Sequence, residues 1–167
     1  FYAMELLKLA NHKRQTGMKV ISLCLGQPAD GAPTAVREAA IAALGSDSQL
    51  GYTDANGLPS LRAAIGAHYA SDHGVDVEPT RVLVTTGSSA AFTAIILAAF
   101  DAGDAVAMAR PGYPAYRNVL DALGCQVIDL DCGPQTRFQP SVEMLDALPA
   151  APAGLIVASP SNPTGTI

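Results

Sequence analysis

Three short stretches carry the side chains with chemistry to offer: TTGSS at residues 85–89, RPGYPAY at 110–116 and SPSNPTG at 159–165. The first places a glycine among four hydroxyls, directly ahead of an apolar segment. Gly87 can take a turn conformation or let a ligand approach the backbone. Ser88 or Ser89 can cap the helix that follows. Free N–H groups at a helix start, with hydroxyls beside them, make a phosphate seat; a plain helix cap is the simpler role. The second stretch presents an aromatic, Tyr113, which can stack on a flat ligand or simply pack. The third presents an amide, Asn162, whose plainer role is an Asx turn before Pro163. Competing signatures are missing. There is no GxGxxG at a first βα turn, no Walker A run, no GxSxG elbow and no HExxH, and the three histidines are unpaired.

These stretches need elements that deliver them to one place. The apolar, β-branched run at 82–84 predicts a buried strand. Residues 90–100 are apolar nearly all round, which predicts a helix buried between layers. A turn at 101–104 and a strand at 105–109 complete a right-handed βαβ unit. Ligands in such sheets bind beyond the carboxyl ends of strands, where TTGSS and RPGYPAY both fall. A helix at 114–123 follows, with Tyr116, Val119, Leu120 and Leu123 inward and Gly124 as its stop. A strand at 125–130, a short helix from Ser141 to about Leu148 and a strand at 155–158 then lead into SPSNPTG. This alternation predicts a three-layer α/β/α arrangement around a mostly parallel sheet.

The earlier part is less regular and reads as an arm or small-domain segment over residues 1–34. It holds a helix at 1–15 ended by Gly17, and a strand-like run at 20–25. GQPADGAP at 26–33 is either a surface connection or a substrate-facing loop. Thr34 is the expected cap of a helix to about Leu44, with Val36, Ala39, Ala40 and Ala43 inward. A polar loop at 45–57 holds Tyr52. Pro59 opens a helix to about Ser71, whose stripe of Leu61, Ala64, Ile65 and His68 predicts a partly buried histidine.

Composition narrows the classes. With 10 basic and 15 acidic residues the net charge is -5, and no Lys/Arg block exists, which argues against nucleic acid or an acidic membrane as partner. No run approaches the ~18 apolar residues of a membrane span. Cys24, Cys125 and Cys132 lack CxxC spacing, which fits a reducing, cytoplasmic compartment.

A phosphate seat, an aromatic face and an amide together suit pyridoxal phosphate, a flat ring carrying a phosphate, a phenolic oxygen and an aldehyde. With LGQP at 25–28, GYTDANGLPSLRAAI at 51–65, TTGSSAA at 85–91, DAGDAVAMARPGYPAY at 101–116 and SPSNPTG at 159–165, the chain resembles the class I/II aminotransferases, fold-type I pyridoxal-phosphate enzymes. The resemblance runs along all 167 residues and rests on the order and spacing of the motifs.

The resemblance implies that residues 35–167 are the first half of a large cofactor-binding domain. It implies that Gly87, Ser88 and Ser89 form the phosphate turn, that Tyr113 stacks on the pyridine ring and that Asn162 donates to the phenolic oxygen. Tyr52 then reaches the cofactor phosphate of a second subunit in a homodimer, and the backbone of Gly26 meets the substrate carboxylate. Pro111 and Pro163 match positions where cis peptide bonds are common. The implied reaction is transamination from an L-amino acid to a 2-oxo acid, with a lysine carrying the proton and the pyridine ring as electron sink. A carbon–sulfur lyase, a decarboxylase, a cyclopropane-forming enzyme and the aminotransferase-like domain of a transcriptional regulator share these loops. The only lysines are Lys8, Lys13 and Lys19, and none matches the family's Schiff-base lysine, which lies far beyond SPSNPTG. The expectation is therefore the front part of a longer protein. By itself it would have no catalysis, weak hold on the cofactor, uncovered apolar surface and a tendency to aggregate.

Overall fold

The computed structural model describes residues 2–46 and 50–167. Phe1, at the start of the first predicted helix, and residues 47–49, in the predicted polar loop, lie outside the described residues. The chain divides into two compact units, Phe1–Leu58 and Pro59–Ile167.

The first unit contains helices α1 (Tyr2–Gln15) and α2 (Thr34–Gly45). Gly17 follows α1 at φ +88°, the left-handed stop that glycine provides. Neither helix buries a residue: the α1 face is only half-covered, at Ala3, Leu7 and Ala10, and the inward face expected of α2 is exposed throughout. Pro33, not Thr34, is the N-cap of α2, and its carbonyl accepts from the N–H groups of Val36 and Arg37. The run at 20–25 is not a strand. It pairs with no other strand among the described residues, and Leu23 is 92% exposed. Strand propensity without a ladder partner leaves the backbone polar groups to water.

The second unit opens with α3 (Pro59–His73). Its close approach is at Gly66, where a Cβ would lie 2.5 Å from the Val77 carbonyl oxygen. The Nε–H of Arg62 donates to the Pro79 carbonyl at 2.9 Å, so α3 is tied to the 3-10 turn Pro79–Arg81. His68 is not buried as its stripe predicted. Its side chain is 59% exposed and pairs with Asp72, one helical turn on, at 3.3 Å.

α4 (Ser88–Ala99), β1 (Ala105–Arg110), α5 (Pro114–Ala122), β2 (Gln126–Asp131), α6 (Val142–Asp146) and β3 (Gly154–Ile156) follow. The sheet is parallel in the order β2-β1-β3. β1 is central and alternates its burial between two cores. Val106 and Met108 pack with Ile96 of α4 and Leu120 of α5, while Ala107 packs with Leu130, Cys132 and the α6 side chains Met144 and Leu145. This period of two across a covered sheet yields the three layers.

Two expectations fail here for one reason. Val82 is extended (φ -101°, ψ 125°), but residues 82–84 join no ladder, so the predicted first strand of the βαβ unit is absent among the described residues. α4 is covered on one side only. Ile96 is buried, whereas Ile95 and Leu97 are 59% and 62% exposed. Both segments carry apolar surface for which the described residues supply no second neighbour.

Candidate functional site

The topology creates a crevice. β1 leads through α5 to β2 on one side, and β3 then returns to the other side of β1. Connections that diverge from adjacent parallel strands leave a gap at their carboxyl ends. Tyr113 emerges there after β1, and Asn162 after β3. Both line one crevice, together with Met108, Gly112, Gln139 and Ser161. The crevice has a volume of about 10 Å³, room for one water at most. It is therefore a floor, and a larger ligand has to sit on its open side.

Local sequence explains how each side chain arrives. Gly112 passes so close to the β1 end that a Cβ would collide with the Ala109 carbonyl oxygen. Tyr113 is the extended N-cap of α5, with Pro114 in the first turn, where a missing N–H costs nothing. The peptide bonds Arg110–Pro111 and Asn162–Pro163 are cis, as the resemblance implied, and so is Ser159–Pro160. Tyr113 sits edge-on to Tyr116 at 5.4 Å and 86°, and Tyr116 edge-on to Phe92 at 4.7 Å and 87°. Both pairs fall in the favourable T-shaped range, so an aromatic contact chain runs from α4 to Tyr113.

The start of α4 differs from the serine cap foreseen. Gly87 is the N-cap, at φ 82° and ψ 171°, with no side-chain cap, and its N–H donates to the Thr85 carbonyl at 2.9 Å. Ser88 and Ser89 are first-turn residues, both exposed, and their hydroxyls make no hydrogen bond among the described residues. An uncapped helix start presents orphan N–H donors and the positive end of the helix dipole. The Cβ position of Gly87 has nothing within 4 Å, so its need for glycine comes from conformation and the space beside it is open.

Asn162 is exposed, and its amide makes no hydrogen bond among the described residues, so no Asx turn forms. Its loop is well held. The Ser161 N–H donates to the Thr166 carbonyl at 2.8 Å, the Gly165 N–H to the Ser161 carbonyl at 2.6 Å, and Ser161 is buried. In the first unit, Tyr52 is fully exposed and Gly26 lies on an exposed irregular segment with no neighbour at its Cβ position.

Tyr113 and Asn162 share the crevice, whose lining does not include Gly87, Ser88 or Ser89; group by group, the chemistry fits pyridoxal phosphate. Orphan N–H groups and free hydroxyls suit its phosphate, an aromatic face suits its ring, and an unengaged amide suits its phenolic oxygen. Among the described residues, no group of three or more His, Cys, Asp or Glu could hold a metal ion. No described helix is long and apolar enough to cross a membrane. The unit that holds Tyr113 and Asn162 contains no lysine.

Local sequence signals are weak for Gln139, for Tyr116 as a support for Tyr113, and for Gly112. The order Pro-Gly-Tyr-Pro at 111–114 hints at a tight exit from β1. Nothing local marked Gln139, because its partners are 19 and 27 residues away.

A sequence model of the family described as aminotransferase class I and II matches residues 18–167. A valine–pyruvate aminotransferase of Mycobacterium tuberculosis is 53% identical over 167 residues, which is 100% of this chain and 43% of that protein. An aspartate aminotransferase of Streptomyces avermitilis is 34% identical over 155 residues, 92% of this chain and 38% of that protein. The crystal structure of an aminotransferase from Mycobacterium tuberculosis superposes with a TM-score of 0.92 at 53% identity, over 99% of this chain and 43% of that one. The aspartate aminotransferase from Thermus thermophilus with maleate gives a TM-score of 0.87 at 28% identity, over 96% of this chain and 42% of that one. The chain thus spans less than half the length of the relatives it matches.

Proposed function

Because the chain belongs to the class I and II aminotransferases, we propose that the protein is a pyridoxal-phosphate-dependent aminotransferase acting between an L-amino acid and a 2-oxo acid. The observation that carries this reading is the meeting of Tyr113 and Asn162 on one crevice at the carboxyl ends of β1 and β3. Pyridoxal phosphate, when bound, supplies an electron sink for charge that develops at the substrate α-carbon.

The residues of this chain bind and orient. The N–H groups and hydroxyls of Ser88 and Ser89, turned by Gly87, hold the phosphate. Tyr113, braced by Tyr116, covers one face of the ring and keeps water from it. The Asn162 amide donates to the phenolic oxygen. That donor stabilises negative charge on the oxygen, which sets how tightly a neighbouring proton is held. Tyr52, exposed in the first unit, serves the phosphate of a partner subunit in a homodimer, and the Gly26 backbone meets the substrate carboxylate. In this reading residues 1–34 are an arm or small-domain segment and residues 35–167 belong to the large domain. The working compartment is the cytoplasm, and neither nucleic acid nor membrane is a partner.

The 53% identity to a valine–pyruvate aminotransferase supports valine as donor and pyruvate as acceptor. The test is the full-length protein incubated with pyridoxal phosphate, valine and pyruvate. A new visible absorption on adding cofactor and the appearance of alanine are expected. No absorption change and no alanine with any amino donor would sink the proposal.

A further inference from the structure

We propose that Gln139 is a positioning residue that clamps the loop carrying Asn162, so that the Asn162 amide faces the crevice. The clamp is a chord across the loop. The Gln139 Nε2 donates to the Ala158 carbonyl at 3.2 Å and to the Thr166 carbonyl at 2.7 Å. These two carbonyls lie at the entry and exit of the segment that contains Asn162. Only the NH2 end of an amide can serve two acceptors, so the contacts themselves decide which way the amide is turned. The Thr166 carbonyl also accepts from the Ser161 N–H at 2.8 Å. One oxygen therefore joins Gln139 to the residue next to Asn162, and both of its lone pairs are used.

The segment that delivers Gln139 is itself over-determined. The Gly133 carbonyl accepts from the Thr136 N–H at 3.2 Å and the Phe138 N–H at 2.9 Å, and the Gln139 N–H donates to the Thr136 carbonyl at 3.0 Å. Arg137 and Phe138 are consecutive non-glycine residues at φ 54° and 60°. Such left-handed residues are costly and persist where the surroundings enforce them, most often at functional sites. The segment ends with Gln139 lining the same crevice as Tyr113 and Asn162. The clamp stands on these contacts alone; its effect on a bound cofactor rests on the proposed function.

Two variants separate the clamp from that reading. Gln139→Leu keeps bulk without donors, and Gln139→Glu keeps shape but turns a carboxylate toward two carbonyls. Gln139 is only partly buried, so the second variant tolerates its charge if the first fails to fold. Hydrogen exchange is measured on full-length protein without cofactor. Losing two hydrogen bonds should speed exchange across residues 158–166 about tenfold, while β1 is unchanged. Unaltered exchange at 158–166 in either folded variant overturns the clamp. The second arm follows the pH midpoint of the visible absorption of added pyridoxal phosphate. Gln139→Glu should move it to higher pH, as should Asn162→Ala, because a donor to the phenolic oxygen favours loss of the neighbouring proton. The double variant should move it no further than the larger single change. A midpoint that moves for Asn162→Ala alone overturns the link to Asn162. If wild-type protein binds no pyridoxal phosphate, the proposed function fails and the exchange measurement alone decides the clamp.

Discussion

Gly87→Ala isolates the helix start as the seat of an anion. Gly87 sits at φ 82° and ψ 171°, a region that only glycine occupies without strain and that costs other residues about 1–3 kcal/mol. Space plays no part, since nothing lies within 4 Å of the Cβ position. The penalty can appear in two ways. If the turn keeps its conformation, the full-length protein loses about 1–3 kcal/mol of stability, read by urea unfolding. If the turn relaxes instead, the N–H groups of Ser88 and Ser89 re-aim. Pyridoxal phosphate affinity then falls by about 5- to 150-fold, the same energy expressed as a binding ratio. Gly26→Ala is the control, because its Cβ position is equally open and its φ is not in the left-handed region; it should leave stability nearly unchanged. Cofactor titration by fluorescence and unfolding on the same samples give both numbers. A Gly87→Ala protein with wild-type stability and wild-type cofactor affinity would refute the reasoning.

Other outcomes follow from the core. Leu120 is fully buried between α5 and β1, so Leu120→Ala should cost about 2–5 kcal/mol in urea unfolding, whereas exposed Leu97→Ala should cost far less. Cys132 is 5% exposed. Burial chiefly, with the Asp131 charge adding, pushes its thiol above the ordinary value of 9.0, against a backbone hydrogen bond with Arg110. Half-buried Cys24 should therefore react with a maleimide well before Cys132, as read by peptide mass spectrometry. The folded state holds the Cys132 proton longer than the unfolded chain does. Its contribution to stability is thus level below pH 9.0 and declines as pH rises from there through the folded value; Cys132→Ala should flatten that part of the stability curve.

Much of the candidate site was legible in the chain because its signals are local. Short apolar runs mark β1 and β2, the helical spacing of Tyr116, Leu120 and Leu123 marks α5, and glycine, proline and hydroxyl punctuation marks the three loops. These depend on backbone sterics within a few residues, so sequence alone determined where TTGSS, RPGYPAY and SPSNPTG stand and what they offer. What it could not determine was which neighbours each element meets. Residues 82–84 have strand composition and begin with an extended Val82, yet a strand is a relation between two segments, and no described segment pairs with them. α4 is apolar all round but covered on one side, because burial is decided by what packs against a face. The order β2-β1-β3 brings Tyr113 and Asn162 together although 49 positions separate them in the chain. Gln139 closes the Asn162 loop through carbonyls that carry no side-chain identity at all. Hydrogen bonds to backbone oxygens and contacts between distant strands leave no mark in residue type, and only the folded chain decides them.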